Sequence, residues 1–97
     1  MRAYFIILSK MISDEAVHNY FCRMLDMPKY YGRNMDALFD VLTDISEETV
    51  FYLDEDERKG ALSDAAEKLL RVLKDAAEEN RHIQVKKKKR HLKYQGD

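Results

Sequence analysis

The chain contains no tryptophan, a single cysteine, a single proline and three glycines, scattered at positions 32, 60 and 96. One cysteine, Cys22, cannot close an internal disulfide, so nothing ties the sequence to an oxidising compartment. Glycines this far apart cannot build a phosphate-cradling loop. Cysteine and histidine never group at metal-ligand spacing, so no metal or other cofactor is expected. Long apolar runs are missing as well. Residues 3–8 (AYFIIL) make a run of six, soon followed by Lys10, too short for a membrane span or the core of a signal peptide. The expectation is a small soluble cytoplasmic domain with no membrane partner.

Also missing is positive charge where it would be most useful. Between Asn34 and Glu57 stand nine acids and neither lysine nor arginine. The chain as a whole, with 17 basic and 18 acidic side chains in 97 residues, is nearly neutral, yet its halves are not. Residues 1–80 hold 10 basic and 17 acidic groups, whereas residues 81–97 hold 7 basic and 1 acidic. An acidic block of this kind can hold a negative potential that steers a basic partner, or it can simply be a solvated face. The length suits one domain, read as residues 1–86 followed by a basic tail, residues 87–97. A hydrophobic content of 45% favours a folded core over disorder.

The apolar run at 3–8 reads as a strand buried on both faces, as in a parallel sheet beneath helices. Ser13 is placed to cap a helix in which Ala16, Val17, Tyr20, Phe21, Met24 and Leu25 recur at helical spacing, and Pro28 ends that region. Asn34 is placed to cap a second helix. Met35, Leu38, Leu42 and Ile45 form its buried stripe, and Asp36, Asp40 and Asp44 a second stripe that must face elsewhere. Residues 49–53 read as a second strand, and residues 54–60 as a charged turn with room for a short extra helix. Ser63 caps a third long helix, buried through Ala66, Leu69, Leu70, Leu73, Ala76 and Ala77 and stopped near Asn80. Ile83 and Val85 suggest a half-apolar third strand, beyond which residues 86–90 (KKKKR) break the core pattern. Strands alternating with helices predict an α/β fold with a small, mostly parallel sheet.

Catalytic groupings are sparse. His18 and Cys22, at i and i+4, could form a thiol–imidazole pair, but the ordinary reading is a buried cysteine beside a partly exposed histidine. His82 and His91 read as surface residues. The aspartates climb one helix and do not oppose each other across a cleft, so an enzyme is not expected. Their arrangement is costly. Like charges at i, i+4 destabilise a helix by about 0.2–0.5 kcal/mol per pair. Asp44 also sits at the wrong end of the helix dipole. Local choices that cost stability without local compensation are expected at functional sites, which makes the stripe the leading candidate for a binding surface. Tyr30 and Phe39 beside it suit an interface or the core equally, whereas Tyr31 reads as core.

Residues 28–43 (PKYYGRNMDALFDVLT) carry a proline, a Tyr-Tyr-Gly and an Asn-x-Asp-Ala-Leu-x-Asp in fixed order. The segment closely resembles the signature of the barstar family of intracellular ribonuclease inhibitors, and the order of elements agrees over roughly residues 2–86. The resemblance implies a barstar-like three-stranded parallel sheet flanked by about four helices. It also implies a partner, a small basic ribonuclease such as barnase, or a nuclease-type toxin, whose active site is plugged by the acidic helix. Asp40 would be the central phosphate mimic and Asp36 a second carboxylate. Tyr30 would lie against the catalytic histidine, Asn34 would make polar contacts, and Phe39 would take the place of an interface tryptophan. Asp44 completes the acidic face, and Asp75 falls where the family has a glutamate that adds a charge contact. Phe39, Ile45 and Asp75 depart from the family's tryptophans and glutamate, which leaves open a cognate enzyme other than barnase. A monomer is expected. The alternative reading is an RNA-associated module acting through residues 86–90, the sole candidate for nucleic-acid contact, although a lysine-rich edge that blocks strand-to-strand aggregation explains that run equally well.

Overall fold

The computed structural model describes residues 1–54 and 62–88. Three strands, β1 (Arg2–Ile7), β2 (Thr49–Asp54) and β3 (Ile83–Lys88), form one parallel sheet in the order β1-β2-β3. The register runs from Arg2↔Thr49 to Ile7↔Asp54 and from Thr49↔Ile83 to Asp54↔Lys88. A short 3-10 turn, Leu8–Lys10, follows β1, and three helices complete the fold: α1 (Asp14–Met24), α2 (Met35–Thr43) and α3 (Asp64–Glu79). The α/β class and the parallel sheet are as expected, with three α-helices among the described residues where about four were anticipated. The extra helix considered near 54–60 lies almost wholly outside the described residues, as do His91 and most of the expected basic tail.

Each helix starts where its sequence provides a cap. Ser13 Oγ accepts from the Ala16 amide at 3.1 Å, Asn34 Oδ1 from Ala37 at 2.7 Å, and Ser63 Oγ from Ala66 at 3.0 Å. Acids occupy the first turn of all three, Asp14 and Glu15, Asp36, and Asp64 and Glu67, where the helix dipole favours them. The Ser63 hydroxyl also donates to the Met11 carbonyl, which ties the start of α3 to the turn after β1.

The strand order decides which side of the sheet is covered. Parallel crossovers are right-handed, and an order that never reverses puts every crossover helix on the same face. Tyr4 and Ile6, Phe51 and Leu53, and Ile83 and Val85 alternate onto that face and join Phe21, Leu38, Leu42, Leu69 and Leu73 in the core. Phe51 sits at the centre, edge-to-face with Phe21 (6.1 Å between centroids) and stacked with Tyr4 (5.5 Å). Full burial of a side chain such as Phe21, Leu38 or Leu73 stabilises the fold by about 1.5–3 kcal/mol. The opposite face carries Ala3, Phe5, Gln84, Lys86 and Lys88, all exposed, together with the half-buried Ile7, Tyr52 and Asp54 and the buried Val50. The expectation that the first strand is buried on both faces is therefore corrected: β1 is an edge strand with helices on one side only, and Phe5 is 53% exposed. The strand also ends one residue early, since Leu8 opens the 3-10 turn. At the other edge β3 runs on through Lys86, Lys87 and Lys88, so the lysine run begins inside the sheet.

Candidate functional site

Helix α2 is nine residues long and two-sided. Leu38 and Leu42 are fully buried and Met35 and Ile45 pack partly against the core, the stripe the spacing predicts, and Phe39 packs partly beside them. Asp36, Asp40 and Asp44 are all exposed, and none of them enters an ion pair among the described residues. The lower part of the acidic block fares differently. Parallel pairing brings Arg2 beside the approach to β2, where its Nε donates to Glu47 at 2.8 Å, and His82 Nδ1 lies 2.8 Å from Glu48 Oε2. His82 is thus half-buried and partnered, not a free surface residue. Tertiary structure thus supplies Glu47 with a counter-ion and Glu48 with a hydrogen-bond partner, while among the described residues the helix aspartates have neither.

Both ends of α2 are held by side chains from elsewhere. At its C-terminus Asn80, the cap of α3, is buried. Its Nδ2 donates to the carbonyls of Leu42 (3.1 Å), Thr43 (3.3 Å) and Ile45 (2.8 Å), and its Oδ1 accepts from the His82 amide at 2.9 Å. One amide therefore satisfies carbonyls that a helix end leaves without intrahelical partners. Thr43 Oγ1 adds bonds to the Phe39 and Asp40 carbonyls, which stiffens the turn that carries Asp40.

At the N-terminus the loop before α2 is fastened to α1. Tyr31 Oη and His18 Nδ1 are hydrogen-bonded at 2.7 Å, and the Arg33 guanidinium donates to Asn19 Oδ1 at 2.5 Å and to Cys22 Sγ at 3.4 Å. Arg33 holds φ 54°, a left-handed conformation uncommon for a residue with a side chain. Burial, reinforced by Cys22, pushes the Tyr31 phenol up to about 12. Burial first, and then the positive charge of Arg33, lowers the His18 imidazole below its ordinary 6.5, so the pair is neutral at neutral pH. The α1 pairing is thus the reverse of the sequence expectation: His18 is buried and Cys22 exposed. His18 lies on the stripe shared by Val17 and Phe21, while Cys22 follows one position past it.

With Tyr31 turned inward, Tyr30 is turned outward and is 89% exposed, the most exposed large hydrophobic of the described residues. Asn34 is exposed but its Oδ1 is engaged as the cap, leaving Nδ2. Gly32 lies close below it: a Cβ there would come 3.2 Å from Asn34 Nδ2. Phe39 is only half-buried and keeps one side packed on the core. Asp75 stands exposed on α3, which packs along α2.

A cleft of about 900 Å³ opens between the start of β1, the chain after α1 and the C-terminal half of α2. Asp40 and Asp44 line it together with Asp26, Glu47 and Arg2. Tyr30, Asn34, Asp36, Phe39 and Asp75 do not line it. The sequence reading missed Asp26, which lies outside the acid-only block and reaches the cleft only because α1 and α2 bracket the loop between them. Nor did it find His18, Asn19 and Arg33 as anchors or Asn80 as a clamp on α2. Such long-range side-chain pairings leave no periodic trace.

No helix among the described residues is long and apolar enough to cross a membrane. The sequence matches the family model described as Barstar (barnase inhibitor) over residues 1–94, while no individual curated protein matches it. A match that spans almost the whole chain, on a three-stranded parallel sheet with an acidic second helix, assigns the protein: it belongs to the barstar family.

Proposed function

We propose that this protein is a cytoplasmic inhibitor of a small basic ribonuclease and blocks the enzyme's active site with the acidic face of α2 and the loop in front of it. The observation that carries the reading is the bare aspartate stripe. Three carboxylates stand one turn apart on a helix held at both ends, exposed and, among the described residues, without counter-ions. An RNA-binding cleft is basic because it must hold phosphates, and a rigid row of carboxylates is complementary to it. Asp40 takes the place of the central phosphate and Asp36 that of its neighbour. Asp44 extends the charge into the acidic cleft, and Asp75 adds a charge from α3. Tyr30 and Phe39 flank the carboxylates with aromatic contact area, and Asn34 offers its free Nδ2. The description of the family as barnase inhibitors supports ribonuclease as the partner class.

Rigidity matters as much as charge. Carboxylates fixed before binding lose little freedom when they dock, so more of the interaction is kept as affinity. The Asn80 clamp and the anchored loop supply that fixity.

An inhibition titration tests the reading. Wild-type protein is mixed with a purified barnase-like ribonuclease and RNA cleavage is followed. Removing one member of a buried charge pair costs about 2–5 kcal/mol, a range that barnase–barstar itself helped to define, so Asp40→Ala is expected to raise the inhibition constant by at least about 30-fold. Equal inhibition by Asp40→Ala would remove the acidic helix from the mechanism.

A further inference from the structure

The sheet face that carries no helix among the described residues is not a plain polar surface. Phe5 of β1, 53% exposed, stacks against Tyr52 of β2 with centroids 5.0 Å apart and rings 18° from parallel. Lys88 of β3 places its ammonium 5.6 Å from the Phe5 ring and 5.5 Å from the Tyr52 ring. Lys86 lies in register beside Tyr52, so one row across the sheet reads Phe5, Tyr52, Lys86. At the free edge of β1 a pocket of about 460 Å³ has an apolar wall of Phe5, Ile7, Met11, Ala16 and Tyr20, and Lys10, Asn19 and Arg23 supply its polar lining, with no carboxylate among them. Two stacked rings are therefore bounded by cations on both sides. Asp54, in register with Lys88, is the one carboxylate on this face among the described residues.

We propose that this face binds single-stranded nucleic acid, with bases stacked on Phe5 and Tyr52 and phosphates held by Lys10 and Arg23 on one side and Lys86 and Lys88 on the other. Stacking rings combined with a cationic track are what sequence-tolerant single-strand binding requires, and a sheet surface is a suitable platform for it. The cations at the rings, with Lys88 over them, Lys86 beside Tyr52 and Lys10 and Arg23 in the pocket at Phe5, favour an anionic polymer over an apolar protein partner. Near neutrality of the whole chain hides this separation: the acidic helix lies on the covered side of the sheet and the aromatic–cationic surface on the open side. The contact of Lys88 with the rings is exposed and is exchanged for a phosphate without loss of buried structure. The inference places nucleic-acid contact on the sheet face, not on the lysine run alone, and it does not depend on the ribonuclease reading.

The test is a fluorescence-anisotropy titration of the full chain against labelled uridine and deoxythymidine strands of about ten nucleotides, a length within the usual span of such platforms. No ribonuclease is present, so the result is independent of inhibition. Both strands are expected to bind saturably, because stacking tolerates either sugar. Phe5→Leu, which keeps apolar bulk but removes the ring, is expected to weaken binding by about tenfold, with a melting curve to show that the variant is folded. Four cation–phosphate contacts predict a loss of about 50-fold in affinity between 50 and 200 mM salt. Replacing both Lys86 and Lys88 by glutamine should flatten that salt dependence by about half. Absence of saturable binding overturns the proposal. So does wild-type affinity in a folded Phe5→Leu protein, or displacement by duplex DNA or inorganic polyphosphate as effective as by the single strand, since each would mean charge without stacking.

Discussion

Asn80 shows how much one buried amide can carry. It ends α3, closes the tight connection into β3 through the His82 amide, and gathers three carbonyls at the end of α2. Leaving a buried polar group unpaired costs about 1–3 kcal/mol, so Asn80→Ala is expected to lower unfolding free energy by about 2–4 kcal/mol in a denaturant melt. A loss under 0.5 kcal/mol would show that water replaces the clamp. His18 makes a different prediction. Its pKa is depressed in the fold by burial and by Arg33 and Lys68, against the opposing pull of Asp14. The unfolded chain therefore takes up the proton first, and stability falls as pH drops below about 6.5, the ordinary value for histidine. For one group the slope is at most about 1.4 kcal/mol per pH unit. Melts from pH 7.5 to 5 should show the decline in wild type and a shallower one in His18→Gln. Identical profiles would assign the acid sensitivity to other groups.

At the scale of elements, α2 trades stability for surface. Its like charges repel at i, i+4, and Asp44 caps the helix end that disfavours an anion. Asp44→Asn should therefore stabilise the free protein by about 0.3–1 kcal/mol while slowing association with a basic partner. Opposite signs in the melt and the association rate are the diagnostic, and a variant that is both less stable and unchanged in association would contradict the account. This helix was almost wholly legible in the sequence. Its cap, its buried stripe and its exposed stripe all follow from spacing, because a helix declares its faces every third or fourth residue. Strand β1 was not. A run of six apolar residues reads the same whether a strand is central or at an edge, and only the strand order, a long-range property, tells Phe5 apart from Phe51. His18 and Cys22 were misassigned for a related reason: residue type favours burying the cysteine, but position on the stripe decides, and an inward tyrosine gives the imidazole its partner.

For the molecule as a whole, a formal net charge of −1 is a poor guide to how it meets other molecules. The fold sorts its charge. Arg2 pairs with Glu47 and His82 hydrogen-bonds Glu48, Lys68 pairs with Asp14, and among the described residues the aspartates of α2 have no ion-pair partner while lysines collect along the β3 edge. Exposed fields of this kind act through association rates and are screened over about 8–10 Å at physiological salt. The association rate with a cognate ribonuclease is therefore expected to fall steeply with salt while the dissociation rate changes little. Family membership and the order of elements were readable from residues 28–43 and the alternation of patterns. The cleft, with Asp26 and Arg2 joining the helix, was not, because its walls come from three segments far apart in the chain.

The central claim is that the aspartates of α2 recognise a nuclease. Its most direct test is capture of partners from the host's lysate and secreted fraction on immobilised wild-type protein and on the Asp36→Ala/Asp40→Ala variant in parallel, with folding of both confirmed by melting. The account predicts a small basic nuclease retained by wild type alone, whose RNA cleavage is abolished in the complex. Retention of the same nuclease by both baits, or by neither, would contradict it.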